Sequence, residues 1–354
     1  MTRARSAPAW RLLGWFWLVV AVVAVGGGVA LQALGPPRAP PSGVASAPPA
    51  EKTVRTAATP TTPVAVPAPA PTPAAMGVPG TPPPGGPIAA PDAALISAQV
   101  GGKGPQLPRI GPDGRKPMQA YAGGFNPQDT RPRIALIMDG IGLSGSASMA
   151  AITVLPPAVT LAVSPYARAP EPLLVAARAA GHELLISIPM EPHGYPLNDE
   201  GDHALLTTAP AAQNSRRLDW ALSRIQGTVG ATGALDGMNG ERFGSDASLM
   251  APVLAELRTR GLLYVAPIPG APPTGVWGRS ADVVIPHAAG AAAVQAKLAA
   301  LVQIARAHGA AVGIVGPPDP KLLDRLVAWS RGLGALGLVL APVTAVALPP
   351  KAAP

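Results

Sequence analysis

From Arg131 onward, apolar residues follow two alternating rhythms. Short dense runs have the length and branched character of buried strands. They are Ile134–Met138, Val159–Val163, Leu184–Ile188, Val229–Leu235, Leu262–Ala266, Val283–Ile285, Ala311–Val315 and Leu338–Leu340. Between them, apolar positions recur every three or four residues. Leu218, Leu222 and Ile225 share a helical face after Pro210. Leu249, Val253, Leu254 and Leu257 share the next, with Ser245 or Asp246 as N-cap and Gly261 as stop. Val294, Leu298, Leu301 and Ala305 form a third stripe ending at Gly309, and Leu322, Leu323 and Leu326 a fourth ending at Gly332. This alternation predicts an α/β fold, a parallel sheet wrapped by helices. So many units in about 220 residues fit a distorted (β/α) barrel of about seven strands better than an open sheet. Sites in such barrels lie at the C-terminal ends of the strands, here Asp139, Ser164, Pro189–Glu191 and Asp236.

Ahead of this domain, residues 1–130 read differently. Leu12 to Leu31 is an unbroken apolar or small-residue run that would span about 30 Å as a helix, the thickness of a bilayer core. Arg3, Arg5 and Arg11 precede it without an acidic residue, which predicts a cytoplasmic tail (1–11), a single-pass inner-membrane anchor (12–32) and a periplasmic remainder. A cleaved signal peptide is the competing reading. Its apolar core should be shorter, and the best small-x-small site, Ala45-Ser46-Ala47, is followed by Pro48. Residues 33–91 are dominated by Pro, Ala, Thr and Gly. Such a segment cannot pair in ladders or bury a core, so it is expected to be a disordered, extended tether. Residues 92–130 regain turn signals and apolar positions, and are expected to pack on the domain at 131–350.

Composition sharpens this division. The chain has 47 Pro and 40 Gly among 354 residues, too many for one compact domain. The net charge of +8 resides wholly in the first third, because the part from Ile134 onward carries 15 basic and 15 acidic residues. A neutral domain does not suit nucleic acid, which calls for a basic face. The absence of cysteine excludes disulfides and thiolate metal sites. Gly101-Gly102-Lys103-Gly104 lacks the flanking strand and helix of a phosphate loop, no dinucleotide fingerprint is present, and no cofactor is expected.

Several segments then carry a resemblance. Arg133 to Leu143 reads as a strand ending in Asp139-Gly140; Leu161 to Ala167, Gly181 to Leu185, Ile188-Pro189-Met190-Glu191-Pro192 and the loop from Tyr195-Pro196 to Leu206 follow. Together they resemble the divergent polysaccharide deacetylase family over about Arg131 to Pro349. The resemblance implies an irregular (β/α) barrel. It also implies metal-dependent hydrolysis of the amide C–N bond of N-acetyl sugars, with a carboxylate base and a metal held by Asp and His. At the positions where that family carries ligand-type groups, this chain has Gly140 for the second aspartate and Ser187 for a histidine. Met238 stands for the histidine of an Asn-Asn-His-Met-Gly-Ser-Arg-Phe motif, Val265-Ala266-Pro267 for Val-Asp-Ser, and Pro317 for the histidine of Gly-His-Pro. No metal is therefore expected.

The polar residues that survive define the candidates. Asp139 is either a general base or a cap of its own turn. Ser164, Ser187, Met190, Glu191, Asp236, Met238 and Arg242 are expected to line a substrate-binding mouth. Glu191, His193, Asp199, Glu200, Asp202 and His203 crowd one loop, where a solvated hydrogen-bonded loop competes with a divalent cation site. Arg242 could hold a sugar hydroxyl or carboxylate, or make a structural ion pair. Tyr166, Met190, Met238 and Trp277 could form a platform for a sugar ring or serve as core, while His182 and His308 read as structural. The expectation is a membrane-anchored periplasmic barrel that binds an envelope glycan or a protein partner without metal chemistry. The alternative is an active N-acetyl glycan deacetylase with a rearranged site of Asp139, Glu191 and His203.

Overall fold

The computed structural model describes residues 82–97, 104–270, 275–286 and 289–350. The expected anchor Leu12–Leu31 and most of the Pro/Ala-rich tether lie outside these residues. Among the described residues, no helix is long and apolar enough to cross a membrane.

The sheet is organised around β1 (Arg133–Ile141), buried along its whole length and so covered on both faces. On one side β1 pairs in parallel with β8 (Ala310–Val315). On the other it pairs with β2 (Thr160–Val163), which continues to β3 (Leu184–Ser187), β4 (Gly230–Thr232), β5 (Leu263–Ala266) and β6 (Gly278–Ser280), all parallel. A short β9 (Val339–Leu340) lies beside the start of β1, and β7 (Val283–Ile285) pairs with β8. The ends of this order, β6 and β7, are joined by Ala281 and Asp282 alone. The Ala281 amide donates to the Ala266 carbonyl at the end of β5, and the Asp282 amide to the Val312 carbonyl on β8, each at 2.8 Å. A single extended stretch thus passes from one edge of the sheet to the other and curls it round. Counted as one strand, it gives the wall of about seven that the periodicity predicts, and the parallel, curled sheet fits a (β/α) barrel.

Helices follow the apolar stripes. They are α1 (Pro117–Ala120), α2 (Gly145–Val154), α3 (Glu171–Ala179), α4 (Ala211–Arg224), α5 (Glu241–Gly244), α6 (Ala247–Thr259), α7 (Ala291–His308) and α8 (Pro320–Gly332). Of the two N-cap candidates for α6, Asp246 serves, accepting from the Ser248 and Leu249 amides. Gly309 ends α7 in the left-handed conformation its missing Cβ permits. Two expectations need correction. Only Gly230–Thr232 of the run Val229–Leu235 is strand, because Leu235 turns back to pair with Met238. Gly278–Ser280 is a strand with no apolar alternation; its neighbour β5, not its own pattern, fixes it.

Strand alternation divides the core. Ile134, Leu136, Met138, Leu161 and Val163 face helices, packing with Leu218, Leu222, Leu298 and Leu301. Ala135, Ile137, Ala162, Leu185, Leu263, Val265, Val312 and Ile314 face the interior. The N-terminal end of that interior is plugged by Ile88, Leu95, Tyr121, Val343 and Val346. Residues 82–91, which composition assigns to the tether, thus supply a core side chain, and the Ile88 amide donates to the Arg178 carbonyl at 2.9 Å. Glu183, at the start of β3, is fully buried beneath this plug. It accepts from the amides of Gly123 (2.8 Å) and Thr344 (3.2 Å) and from the hydroxyls of Thr160 (3.4 Å) and Thr344. Extension, barrel and C-terminal segment share this one carboxyl.

Candidate functional site

At the opposite end, the inner face turns polar. Two residues on from Ile137, Ala162, Leu185 and Gly230, the same alternation places Asp139, Ser164, Ser187 and Thr232 inside the mouth of β1 to β4. All four are essentially inaccessible to solvent. Asp139 Oδ1 accepts from its neighbour, the Gly140 amide, at 2.6 Å, and Oδ2 accepts from the Gly237 amide at 2.8 Å. The turn Leu235–Met238, with Asp236 at φ 52° and Gly237 at φ 77°, is thereby held over the carboxylate. Burial pushes Asp139 up to about 6, against the two amides, with the charge of Asp236 adding to the rise. The cap role is the one the geometry shows: its oxygens fasten the turn, while burial raises its proton affinity.

The positions of the family's missing ligands are filled. Gly140 has φ 75°, and a Cβ there would lie 2.6 Å from Pro317 Cβ. Gly316 in turn lies so close to β1 that its own Cβ would meet the Asp139 carbonyl oxygen at 2.6 Å. The Gly316-Pro317 segment is thus seated against Asp139-Gly140, and no side chain fits between them at 140. Met238 is half-buried and bridged to Leu235. Among the described residues, no three His, Cys, Asp or Glu side chains converge as a metal would need. The donor set does not fit the family's metal.

The loop after β3 disperses its charged residues. Glu191 is buried, with Oε1 paired to Arg242 at 2.9 Å and Oε2 accepting from the Thr207 amide and hydroxyl at 2.6 and 2.7 Å. Arg242, whose side chain is 52% exposed, makes the structural ion pair that was one of its two expected roles. His193, Asp199 and Asp202 point to solvent. The His203 ring stacks on Trp220 at 3.7 Å and 8°, and its amide donates to the Tyr166 hydroxyl at 3.2 Å. The crowded loop therefore does not assemble as a cation site. The suggested platform is not assembled either: Met190 is fully buried, Trp277 packs against the interior cluster just before β6, and Tyr166 joins Trp220 and His203. Buried His182 binds the carbonyls of Val159 and Ile152 through its two ring nitrogens, a structural role.

Glu200 is the exception in that loop, and the residue missing from the expected mouth. It is 4% exposed, and Oε2 accepts from the Met190 amide at 2.8 Å. Burial raises it well above the ordinary carboxylate range, and the charges of Asp139 and Glu241 add to the rise against the amides of Met190 and Gly240. Its Oε1 has no hydrogen-bond partner, and neither has Ser187 Oγ. Ser164 Oγ accepts from the Tyr166 amide and Thr232 Oγ1 from the Ala234 amide, so both are engaged. A buried polar atom without a partner costs roughly 1–3 kcal/mol. The only sequence signal for Glu200 was its place in an acidic loop; what buries it is the tertiary fold.

A family model described as divergent polysaccharide deacetylase matches residues 136–347. A protein of Haemophilus influenzae described as uncharacterized is 26% identical over 213 residues, spanning 57% of this chain and 72% of that one. The crystal structure of an uncharacterized protein from Agrobacterium tumefaciens C58 is similar with a TM-score of 0.63 and 31% identity, over 68% of this chain and 99% of that one.

Proposed function

This chain belongs to the divergent polysaccharide deacetylase family, and from that premise we propose that it is a carbohydrate-related barrel that binds an envelope glycan without metal-dependent hydrolysis. The run Leu12–Leu31 would anchor it once in the inner membrane, with the Pro-rich segment holding the barrel in the periplasm. One observation carries the reading. Gly140 and Pro317, the positions of two of the family's ligand-type side chains, are packed against each other with no room for a carboxylate. A protein partner bound at the same end is the other outcome of such a design. The test pairs metal analysis of the purified full chain with acetate release from N-acetylated glycan oligomers. The expected result is substoichiometric zinc, no acetate and measurable oligomer binding. Stoichiometric zinc together with acetate release overturns it.

A second reading rests on Asp139, whose proton affinity is raised to about 6, the range useful to a general base near neutrality. It makes the protein an active deacetylase with a rearranged site. Glu191 and His203, the other expected members, are held by Arg242 and Thr207 and by Trp220 respectively, which leaves Asp139 to act without them. Any acetate release unchanged by Asp139→Ala would end this reading.

A further inference from the structure

Four buried carboxyl groups stand near the two ends of the barrel, and three are fully engaged. Glu183 holds the plug, Glu191 holds Arg242 and Thr207, and each oxygen of Asp139 holds an amide. Only Glu200 keeps an unpartnered oxygen, and of the three mouth hydroxyls only Ser187 is unpartnered. Ser187 projects inward from the end of β3, three residues before the Met190 amide that Glu200 grips. Two unsatisfied polar atoms, both more than nine-tenths buried, thus belong to one mouth. We infer that Glu200 and Ser187 form a recognition subsite for a neutral hydroxyl group of a saccharide, at the C-terminal mouth that holds Asp139.

The chemistry selects that ligand. A protonated carboxyl offers one donor and an acceptor, and a serine hydroxyl offers the same, so their complement both donates and accepts. An anion would meet the charge of Asp139. A cation would require Glu200 to ionise while buried beside Asp139. Beside the amides of Met190 and Gly240, the side chains whose charge or hydroxyl acts on Glu200 include Asp139 on β1, Glu241 on α5, Tyr166 and Tyr264. These side chains are all acidic, and they disfavour an ionised Glu200. The Gly237–Asp139 hydrogen bond holds the Leu235–Met238 turn against the neighbouring Asp139 carboxyl.

The subsite deepens the glycan-binding reading and rests on it. The experiment is calorimetric titration of the full chain in detergent with chitotetraose, a neutral oligosaccharide, and separately with calcium chloride. Glu200→Ala and Ser187→Ala should each weaken saccharide binding by about tenfold, the loss typical of one or two hydrogen bonds to a ligand hydroxyl. Glu200→Gln, which keeps a donor, should bind within about threefold of the natural protein. Binding by the natural protein should fall as pH rises and Glu200 ionises, and the Gln variant should lose that dependence. A thermal melt of each variant accompanies the titration. If Glu200→Ala fails to fold, Ser187→Ala, which removes only an unpartnered hydroxyl, carries the test. Unchanged saccharide binding in the folded variants overturns the subsite and leaves the glycan reading standing. Tight calcium binding abolished by Glu200→Gln overturns it in favour of a cation site. No saccharide binding by the natural protein defeats the glycan reading, and the subsite with it.

Discussion

Glu183 and Glu200 are both buried glutamates of one barrel, yet they stand in opposite conditions. Glu183, at the N-terminal end, receives two amides and two hydroxyls drawn from the extension, β2 and the C-terminal segment. Glu200, at the C-terminal mouth, is held by the Met190 amide on Oε2 and influenced by the Gly240 amide, while Oε1 has no hydrogen-bond partner. Burial raises the proton affinity of both, but only at the mouth does a second carboxyl, Asp139, add its charge. The difference separates a structural carboxyl from one available to a ligand. At the closed end the carboxyl of Glu183 has both oxygens satisfied, whereas at the mouth one oxygen is left without a hydrogen-bond partner.

The comparison breaks most sharply at the closed end. Glu183→Ala would strand two amides and two hydroxyls inside the plug, and should destabilise the protein by about 3–5 kcal/mol. Urea unfolding measures it, and a loss below about 1 kcal/mol would mean that the plug does not depend on this carboxyl. At the mouth the expected signature is a dependence on pH. Asp139 binds its proton more tightly in the folded state, at about 6 against an ordinary aspartate value of 3.8. Between those values the folded protein holds more protons than the unfolded chain, so stability falls as pH rises through this window and levels off above it. The difference corresponds to on the order of 3 kcal/mol. Glu200 acts in the same direction. Melts from pH 4 to pH 7 should show the decline, and Asp139→Asn should flatten it; an increase over that range would contradict the burial of these groups in neutral form. A smaller effect sharpens the account of the filled ligand positions. Gly140→Ala meets Pro317 at 2.6 Å, while a Cβ at Gly309, at the similar φ of 77°, meets nothing within 4 Å. The two share the left-handed strain of about 1 kcal/mol, and Gly140→Ala should cost about 1–2 kcal/mol more. Equal losses would show that Pro317 yields, and that room for a side chain at 140 was never closed.

Much of the fold was legible because its signals are local. A run such as Ile134–Met138 has the length and branched character of a strand covered on both faces, and Gly309 or Asp246 marks a helix end through its own backbone or carboxylate. The substitutions at the family's ligand positions were legible too, since Gly140 and Pro317 carry no donor side chain wherever the chain puts them. Less visible were places where a residue's state depends on distant partners. The passage from β6 to β7 carries little pattern of its own, and takes its form from β5 and β8. Ile88 sits in a Pro/Gly-rich stretch that composition assigns to a tether, yet it fills the barrel's end. Tyr166, Met190, Met238 and Trp277 are all large and apolar, and sequence alone does not separate Met190 in the core from Trp277 at the other end.

The sequence by itself determined the alternation of strands and helices, the polar residues at the strand ends and the loss of ligand-type side chains, because periodicity and residue chemistry are properties of short segments. The tertiary structure alone decided that Glu191 is neutralised by Arg242, that His203 is spent on Trp220, and that Glu200 is drawn inside with one oxygen unanswered. Whether a buried polar atom finds a partner depends on every element that converges on it, and no segment of the chain carries that information alone.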